Sequence, residues 1–241
     1  MPLPSSGSIV VLTGAGISAE SGLSTFRGAM GLWEGHRVED VAMPEAFVRD
    51  PVLVHRFYNQ RRRQLHDPVI KPNAAHKALS RLEAEWPSEV LIVTQNVDDL
   101  HERGGSHDVV HMHGQIRRVR CTSCADERLW VHDLDVATVC PACGATGRMR
   151  PAIVWFGEMP LELDRITAAL QACNLFVAIG TSGHVYPAAG FVELVRDADR
   201  AHTVEVNIEP SAVGSVFAEC RTGPAGTVVP KLVDELLETL R

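Results

Sequence analysis

Residues 8–13 (SIVVLT), followed directly by residues 14–22 (GAGISAESG), form the stretch that decides the fold. The first part is a short apolar run, typical of a strand that is buried on both faces. The second part has the spacing G-x-G-x-x-A of a phosphate-binding loop, in which glycines let the backbone approach a phosphate and a following helix offers its N–H groups. Alone, the pattern also fits an ordinary tight turn between a strand and a helix. It therefore indicates a nucleotide-binding fold only if more of such a fold follows along the chain.

Further short apolar runs do follow, at residues 90–94, 108–113, 175–179 and 203–207. Segments with helical spacing of apolar residues lie between and after them, at residues 74–85, 163–172 and 229–240. This alternation predicts an α/β fold, with a Rossmann-like parallel sheet and helices on both of its faces. Polar or glycine-rich clusters come directly after each predicted strand. Because the ends of parallel strands meet at one edge of a sheet, these clusters predict a single ligand cleft built from several loops.

Two stretches interrupt the alternation and predict a smaller lobe beside the sheet. Residues 29–72 have a mostly helical pattern, and residues 115–150 contain two pairs of cysteines. We expect one domain, in which residues 1–28, 73–114 and 151–241 form the Rossmann-like part and the two inserts form the small lobe.

Composition excludes some classes of function. The formal net charge of −7 argues against bulk binding to nucleic-acid phosphates. No apolar run approaches the roughly 20 residues that a membrane span needs. The N-terminal residues do not show a basic segment followed by a long apolar one, so we expect no secretory signal and a cytoplasmic protein.

The residues after the glycine loop disfavour a dehydrogenase. A hydride-transferring enzyme would carry an acidic residue on the next strand, about 20 residues further on, to hold the adenosine ribose. This chain has residues 26–31 (FRGAMG) there instead, and the next convincing strand begins only at Val90. The sequence therefore predicts a nucleotide whose phosphates meet the loop, with Arg27 as a further contact, but not hydride transfer.

The paired cysteines predict one zinc ion. Two C-x-x-C pairs, separated by fifteen residues, supply the four thiolates of a tetrahedral site: Cys121, Cys124, Cys140 and Cys143. Since four protein ligands leave no position for water, the ion is expected to be structural. The alternative is a zinc ribbon that binds nucleic acid, for which Arg117, Arg118 and Arg120 give some support, although such arginines more often form a solvated face.

Taken together, these segments resemble the sirtuin family, and within it the bacterial class III type. The matching segments occur in the family's order along most of the chain: residues 14–22, residues 25–27 (TFR), residues 94–98 (TQNVD), residues 111–114 (HMHG), the four cysteines, residues 154–158 (VWFGE), residues 180–182 (GTS), residues 206–207 (VN) and residues 223–225 (GPA). The resemblance implies that NAD is consumed as a co-substrate in the removal of acyl groups from lysine. The acyl oxygen of the modified lysine attacks the ribose carbon, and the products are lysine, nicotinamide and an O-acyl-ADP-ribose.

The resemblance also implies roles for individual residues. His113 is the general base, a role that suits an imidazole near neutral pH. If residues 108–113 form a strand, His111 and His113 point to the same side, so periodicity does not choose between them and the resemblance does. Asn96 and Asp98 match the nicotinamide pocket, although either could simply cap a helix. The full set of implied NAD contacts is Gly14, Ala15, Gly16, Ile17, Ser18, Ala19, Glu20, Phe26, Arg27, Gln95, Asn96, Asp98, Gly180, Thr181, Ser182, Asn207 and Ala225.

A predicted helix carries the residues expected to choose the acyl group. Tyr58 and Arg61 are three residues apart, so they share one helix face, where a phenol and a guanidinium can hold a carboxylate. Without the resemblance, a solvated basic face would be the simpler interpretation. With it, the pair matches the residues that favour succinyl- and malonyl-lysine, and Ala42 matches a small residue that leaves room for a long acyl group. We expect acetyl groups to be removed as well.

The expected partners are acylated lysine side chains of many proteins. Residues 155–158, with Phe156, Gly157 and Glu158, and residues 183–186 match the two strands between which the substrate peptide lies. Main-chain pairing of this kind reads little sequence. Two alternatives remain: transfer of ADP-ribose to a protein, and a non-catalytic zinc-ribbon binding module. His113, Asn96 and Asp98 together argue against the second.

Overall fold

The structure is a computed structural model that describes residues 5–24, 32–33 and 35–240. Its strands are β1 (Ile9–Thr13), β2 (Leu32–Trp33), β3 (His36–Arg37), β4 (Val90–Thr94), β5 (Val109–His111), β6 (Gly114–Cys121), β7 (Glu127–Leu129), β8 (Met149–Ile153), β9 (Leu175–Ile179), β10 (His202–Asn207) and β11 (Glu219–Thr222). Its helices are α1 (Ala15–Ser18), α2 (Val38–Val41), α3 (Pro44–Arg49), α4 (Pro51–Leu65), α5 (Ala74–Glu85), α6 (Leu100–Arg103), α7 (Leu163–Ala172), α8 (Phe191–Asp197) and α9 (Ala225–Glu238).

The main sheet is parallel and has the strand order β11-β10-β9-β1-β4-β5. This confirms the predicted α/β fold. Strand β1 lies in the middle, paired with β4 on one side and β9 on the other. All five residues of β1, β4 and β9 are buried, as expected of strands that helices cover on both faces.

Two hydrophobic cores lie on opposite faces of this sheet. One packs α5 and α9 against the sheet, with Leu79 and Leu232 among its buried residues. The other contains α7 and α8, with Ile166 and Val195. The alternating side chains of β1 explain this division, because Val11 belongs to the first core and Val10 to the second.

The cap of helix α5 also anchors the glycine loop. The Asn73 side chain accepts a hydrogen bond from the Ala75 N–H at 2.9 Å, and so caps the helix. Its amide nitrogen donates to the Ile17 carbonyl oxygen at 2.7 Å and to the Ser21 hydroxyl at 3.0 Å. One asparagine therefore fixes the helix start and the loop that follows β1.

Two predicted elements differ from those observed. The strand predicted over residues 108–113 ends at His111, because the chain turns there to begin β6 at Gly114. The last helix begins at Ala225 rather than Val229, and Pro230 lies within it. The apolar spacing starts only after the first helical turn, and that turn is stabilised by the Glu20 carboxylate, which accepts from the Gly226 N–H at 2.7 Å.

A second, antiparallel sheet has the order β7-β6-β8. Helices α2, α3 and α4 share a third core with it, in which Val54 and Phe57 are grouped with Ile116. These elements fall largely within residues 29–72 and 115–150, although β8 extends to Ile153. In the described part of the chain, no helix combines the length and the apolar character that crossing a bilayer requires.

Candidate active site

A cleft of about 580 Å³ opens at the C-terminal ends of β1, β4 and β9. Strand β1 is where the order of connection reverses, and the ends of strands at such a switch point are where open parallel sheets bind ligands. The predicted NAD contacts that line the cleft are Gly14, Ala15, Gly16, Ser18, Ala19, Gln95, Asn96, Asp98, Gly180, Thr181, Ser182 and Asn207. Loops that are far apart in the sequence thus form one wall, as predicted.

Close contacts between backbones explain the glycines in this wall. A Cβ atom on Gly16 would lie 2.6 Å from the Gly180 Cα atom, and one on Gly14 would lie 2.7 Å from the Gly180 carbonyl oxygen. Gly180 itself has a φ of +62°, a conformation that favours glycine. The three glycines therefore let two loops meet without side chains between them, which leaves a backbone cradle suited to a phosphate.

Three of the predicted NAD contacts do not line the cleft. Ile17 is fully buried, and its side chain belongs to the hydrophobic core that α5 and α9 form against the sheet. Glu20 turns to the start of α9, and Ala225 is the first residue of that helix. Phe26 and Arg27 lie outside the described residues.

Ser18, Asn96 and Asp98 form a hydrogen-bonded cluster on the cleft wall. The Ser18 hydroxyl donates to Asp98 Oδ2 at 3.1 Å, and Asn96 Nδ2 donates to the Ser18 oxygen at 3.1 Å. Burial raises the pKa of the Asp98 carboxyl from 3.8 to about 6, although hydrogen bonds from the Leu100 N–H and Ser18 oppose this shift. A fixed amide and a carboxyl beside each other can bind a carboxamide, because together they offer an N–H donor and oxygen acceptors.

His113 lines the same cleft, and its hydrogen bond fixes its tautomer. The ring atom Nδ1 lies 3.1 Å from the Gln95 carbonyl oxygen. A carbonyl oxygen only accepts, so Nδ1 carries the proton and Nε2 has the lone pair. Burial lowers the pKa of His113, against the opposing effect of the hydrogen bond to Gln95. The imidazole is therefore neutral near pH 7 and can accept a proton through Nε2.

His111 differs from His113 in its surroundings. Its Nε2 atom lies 2.5 Å from the Glu102 carboxylate. Its Nδ1 atom lies 3.4 Å from the Asn96 carbonyl oxygen. Since β5 ends at His111, the strand on which the expected common direction of the two histidines depended does not reach His113. His113 lies in the turn between β5 and β6, where the φ of +76° at Gly114 reverses the chain. The structure thus separates two histidines that the sequence pattern left equivalent.

The cleft is also lined by Tyr58, Arg61, Ala42 and Phe156. Tyr58 and Arg61 lie on α4 and are both buried. The Arg61 guanidinium donates to the Phe57 carbonyl oxygen at 2.7 Å and stacks over the Phe57 ring at 3.3 Å. These contacts hold the cation at the cleft wall, so the interpretation of this helix face as merely solvated does not hold for Tyr58 and Arg61.

The Glu158 carboxylate is occupied by arginine side chains. Both of its oxygens accept from Arg150, at 2.7 and 2.9 Å, and one of them also accepts from Arg120 at 2.9 Å. The second oxygen accepts from the Trp155 N–H at 2.9 Å. Glu158 and Gly157 line the cleft, as predicted, but this carboxylate stabilises the turn that bears Phe156.

The two segments matched to peptide-binding strands are not strands in this structure. Residues 155–158 follow the end of β8, and residues 183–186 follow β9. The Glu158 N–H donates to the Trp155 carbonyl oxygen at 2.9 Å, which closes a turn and ends the extended conformation. Residues of both segments still line the cleft, among them Phe156 and Tyr186.

Some residues of the cleft were missed by the sequence analysis. Gln64 lies one helical turn beyond Arg61, and the i, i+3 spacing that paired Tyr58 with Arg61 could have found it. Glu209 follows β10 closely, so its place after a strand end was a usable signal. For Trp155 the sequence indicates only a place in a peptide-binding segment, because no sequence pattern shows what its indole contacts.

The four paired cysteines meet at one point of the small antiparallel sheet. Their sulfur atoms all lie within 4.8 Å of one another. The Cys121–Cys143 and Cys124–Cys140 sulfur pairs are both 3.8 Å apart. Thiolates bound to one zinc ion at about 2.3 Å, in a tetrahedron, would be about 3.8 Å apart. The geometry therefore fits a zinc ion.

Comparisons with known proteins agree with this arrangement. A family profile described as "Sir2 family" matches residues 14–187. The chain is 58% identical over 229 residues to an "NAD-dependent protein deacylase" of Vibrio parahaemolyticus, a match that covers 95% of each protein. It is 56% identical over 233 residues to a protein of the same name from Escherichia coli K12, covering 97% of this chain and 83% of that protein. A solved structure described as a Sir2 homologue in complex with NAD superposes with a TM-score of 0.88 at 37% identity, covering 98% of this chain and 92% of that one.

Proposed function

Since the chain belongs to the Sir2 family, we propose that it removes acyl groups from lysine side chains of proteins and consumes NAD in doing so. One observation carries the proposal: a single cleft is lined by the glycine cradle, the Asn96–Asp98 pair, His113, and the Tyr58–Arg61 helix face. The names of the two bacterial relatives support the same activity.

NAD supplies the reactive ribose carbon, whose bond to nicotinamide breaks as the acyl oxygen of the lysine forms a bond to that carbon. The chain's residues act around this exchange. Asn96 and Asp98 hold the carboxamide, the backbone at Gly14 and Gly16 receives phosphate, and His113 accepts a proton from a ribose hydroxyl at Nε2. The neutral tautomer set by the Gln95 carbonyl suits this step. The four cysteines would hold a structural zinc ion that supports the small sheet.

The experiment that tests this proposal is a mass analysis of products from NAD and an acylated peptide. Deacylation gives free lysine and an O-acyl-ADP-ribose. A protein or peptide that gains the mass of ADP-ribose, with its acyl group intact, would instead identify an ADP-ribosyltransferase and overturn the proposal.

We further propose that the acyl group extends from His113 towards Tyr58 and Arg61, so that succinyl and malonyl groups are removed as well as acetyl. Arg61 is held at the cleft wall by its contacts with Phe57, and it supplies a cation for a terminal carboxylate. Ala42, only 3% exposed, places a small side chain at the same wall, and its carbonyl oxygen accepts from the Phe156 N–H at 3.0 Å.

Replacing Arg61 by Met should reduce the kcat/KM for a succinylated peptide by about tenfold or more, since a hydrogen bond to a charged group is lost. The kcat/KM for the same peptide carrying acetyl should fall much less. Arg63→Met is the matched control, because Arg63 is exposed on the same helix and pairs with Asp133 instead. Equal loss with both peptides would mean that Arg61 supports the fold rather than the acyl choice, and no loss with either would remove it from the site.

A further inference from the structure

Trp155 joins the turn beside the substrate cleft to the helix that carries Tyr58. The indole Nε1 of Trp155 lies 2.9 Å from the Tyr58 hydroxyl oxygen, and this contact spans 97 residues of sequence. Trp155 is 2% exposed and Tyr58 is fully buried, yet both contribute to the cleft wall.

The direction of this hydrogen bond is fixed by chemistry. An indole N–H only donates, so the Tyr58 oxygen accepts. The Tyr58 hydroxyl therefore cannot donate its own proton to Trp155. That proton can be donated only to another group, and this group must be an acceptor. Burial also raises the pKa of the Tyr58 phenol, so the hydroxyl keeps its proton at neutral pH. Trp155 thereby sets Tyr58 as a donor.

Trp155 is held in place by three sets of contacts. Its main-chain N–H donates to the Glu158 carboxylate. The Arg150 guanidinium covers its face, with the central carbon 3.3 Å from the ring centroid, and Arg150 is held in turn by both Glu158 oxygens. Phe47 lies 5.5 Å away, centroid to centroid. The ring orientation, and with it the position of Nε1, is therefore determined by buried contacts.

We propose that Trp155 is a positioning residue for acyl-group choice: its indole N–H holds the Tyr58 hydroxyl so that the phenol donates to the terminal carboxylate of a succinyl or malonyl group. This inference rests on the proposed function, because it assumes that the acyl group reaches Tyr58. The simpler alternative is that Trp155 only fills the core between α3, α4 and the turn after β8. The two interpretations differ in whether Trp155 acts through the Tyr58 hydroxyl.

The test compares kcat/KM for one peptide carrying either succinyl or acetyl. The wild-type protein, Trp155→Phe, Tyr58→Phe and the double variant are measured with both. The ratio of succinyl to acetyl kcat/KM should fall about threefold to tenfold in each single variant, the usual effect of one hydrogen bond. The succinyl KM should carry most of the change. In the Tyr58→Phe background, Trp155→Phe should cause no further fall in the ratio, because the hydroxyl on which it acts is gone.

Two further variants separate the hydrogen bond from packing. Replacing Trp155 by 3-benzothienylalanine, through site-specific incorporation, keeps the ring shape and removes only the N–H donor, so it should lower the ratio even if Trp155→Phe fails to fold. Val54→Ala reduces packing in the same buried core without removing the indole N–H or the Tyr58 hydroxyl, and it should leave the ratio unchanged.

The inference is overturned if the benzothienyl variant keeps the wild-type ratio while Tyr58→Phe and Arg61→Met lower it, since the pocket then chooses acyl groups without Trp155. A failure of the proposed acyl pocket looks different: Tyr58→Phe and Arg61→Met would then leave the ratio unchanged as well. Equal falls in both activities for the Trp155 variants, in either background, would reduce Trp155 to a core residue.

Discussion

His113 and Asp98 line the same cleft, and burial favours the neutral form of both. It lowers the pKa of the imidazole and raises that of the carboxyl. A neutral imidazole can act as a base, whereas the Asp98 carboxyl can accept a hydrogen bond from the amide group of a carboxamide.

Replacing His113 by Ala or Gln should reduce kcat/KM for deacylation by about a hundredfold or more, because the proton acceptor is lost. The Gln variant can still donate to the Gln95 carbonyl oxygen, so its loss would reflect the missing base rather than a missing contact. NAD binding, measured by calorimetry, should remain in both. In the wild-type protein, activity should fall on the acid side as His113 gains its proton, with an apparent pKa below 6.5. Near-normal turnover of either variant would remove His113 from this role.

The ionised form of Asp98 should lower the free energy of unfolding at pH values above the raised pKa of its carboxyl. Its folded pKa of about 6 exceeds the ordinary 3.8, so the stability that its proton provides is fully present below 3.8 and is lost as the pH rises through 6. The Asp98→Asn variant avoids this loss. At about pH 8 without NAD, its free energy of unfolding should exceed the wild-type value by up to about 3 kcal/mol.

The same comparison at about pH 5 serves as the control. The difference should there be only about half as large, because the folded carboxyl keeps its proton while the unfolded one is still ionised. A difference that is independent of pH between these limits would mean that the charge of Asp98 is not the cause.

Among the elements, the small antiparallel sheet depends on the cysteine cluster. Its core is small: Val119, Leu134 and Met149 accompany two of the cysteines. A core of this size gives little hydrophobic stabilisation, and bound zinc commonly supplies the remainder in such modules. The sheet also carries β8, which leads directly into the turn with Trp155 and Phe156.

Elemental analysis of the freshly purified protein should find about one zinc per chain. Cys124→Ser should lose most of the metal, make residues 115–150 sensitive to proteolysis, and reduce activity through the loss of this support. Cys220→Ser is the matched control, because Cys220 is also exposed but lies on β11, outside the cluster. Active wild-type protein without bound metal would contradict the assignment.

Sequence periodicity predicted elements well where packing alone decides them. The buried strands β1, β4 and β9 and the amphipathic helices α5 and α7 were placed nearly to the residue. Periodicity failed where the boundary of an element depends on a side chain that is distant in the sequence. The extra first turn of α9 depends on Glu20, about 200 residues away in sequence. The turn that ends at Glu158 depends on Arg150 and on Arg120. Such long-range polar contacts leave no periodic signal.

The site shows the same limit. The residues that line the cleft from strand ends were predicted because parallel strands place their ends together. The separate surroundings of His111 and His113 could not be predicted, because they depend on a turn rather than on a strand. The hydrogen bond from Trp155 to Tyr58 is likewise a matter of tertiary packing.

For the whole molecule, the arrangement of the cleft implies that two substrates must meet. The glycine cradle and the Asn96–Asp98 pair line the same cleft as His113 and the Tyr58–Arg61 face. If the acyl oxygen attacks the ribose carbon, the bond to nicotinamide should break only when an acylated lysine also occupies the cleft. This coupling is the central claim about the protein.

Nicotinamide release from NAD, measured with and without an acylated peptide, tests that claim most directly. We predict that release above background requires the acylated peptide, that one nicotinamide appears for each lysine freed, and that an unmodified peptide of the same sequence gives none. Release at the same rate without the acylated peptide, or in excess of the lysine freed, would contradict the account.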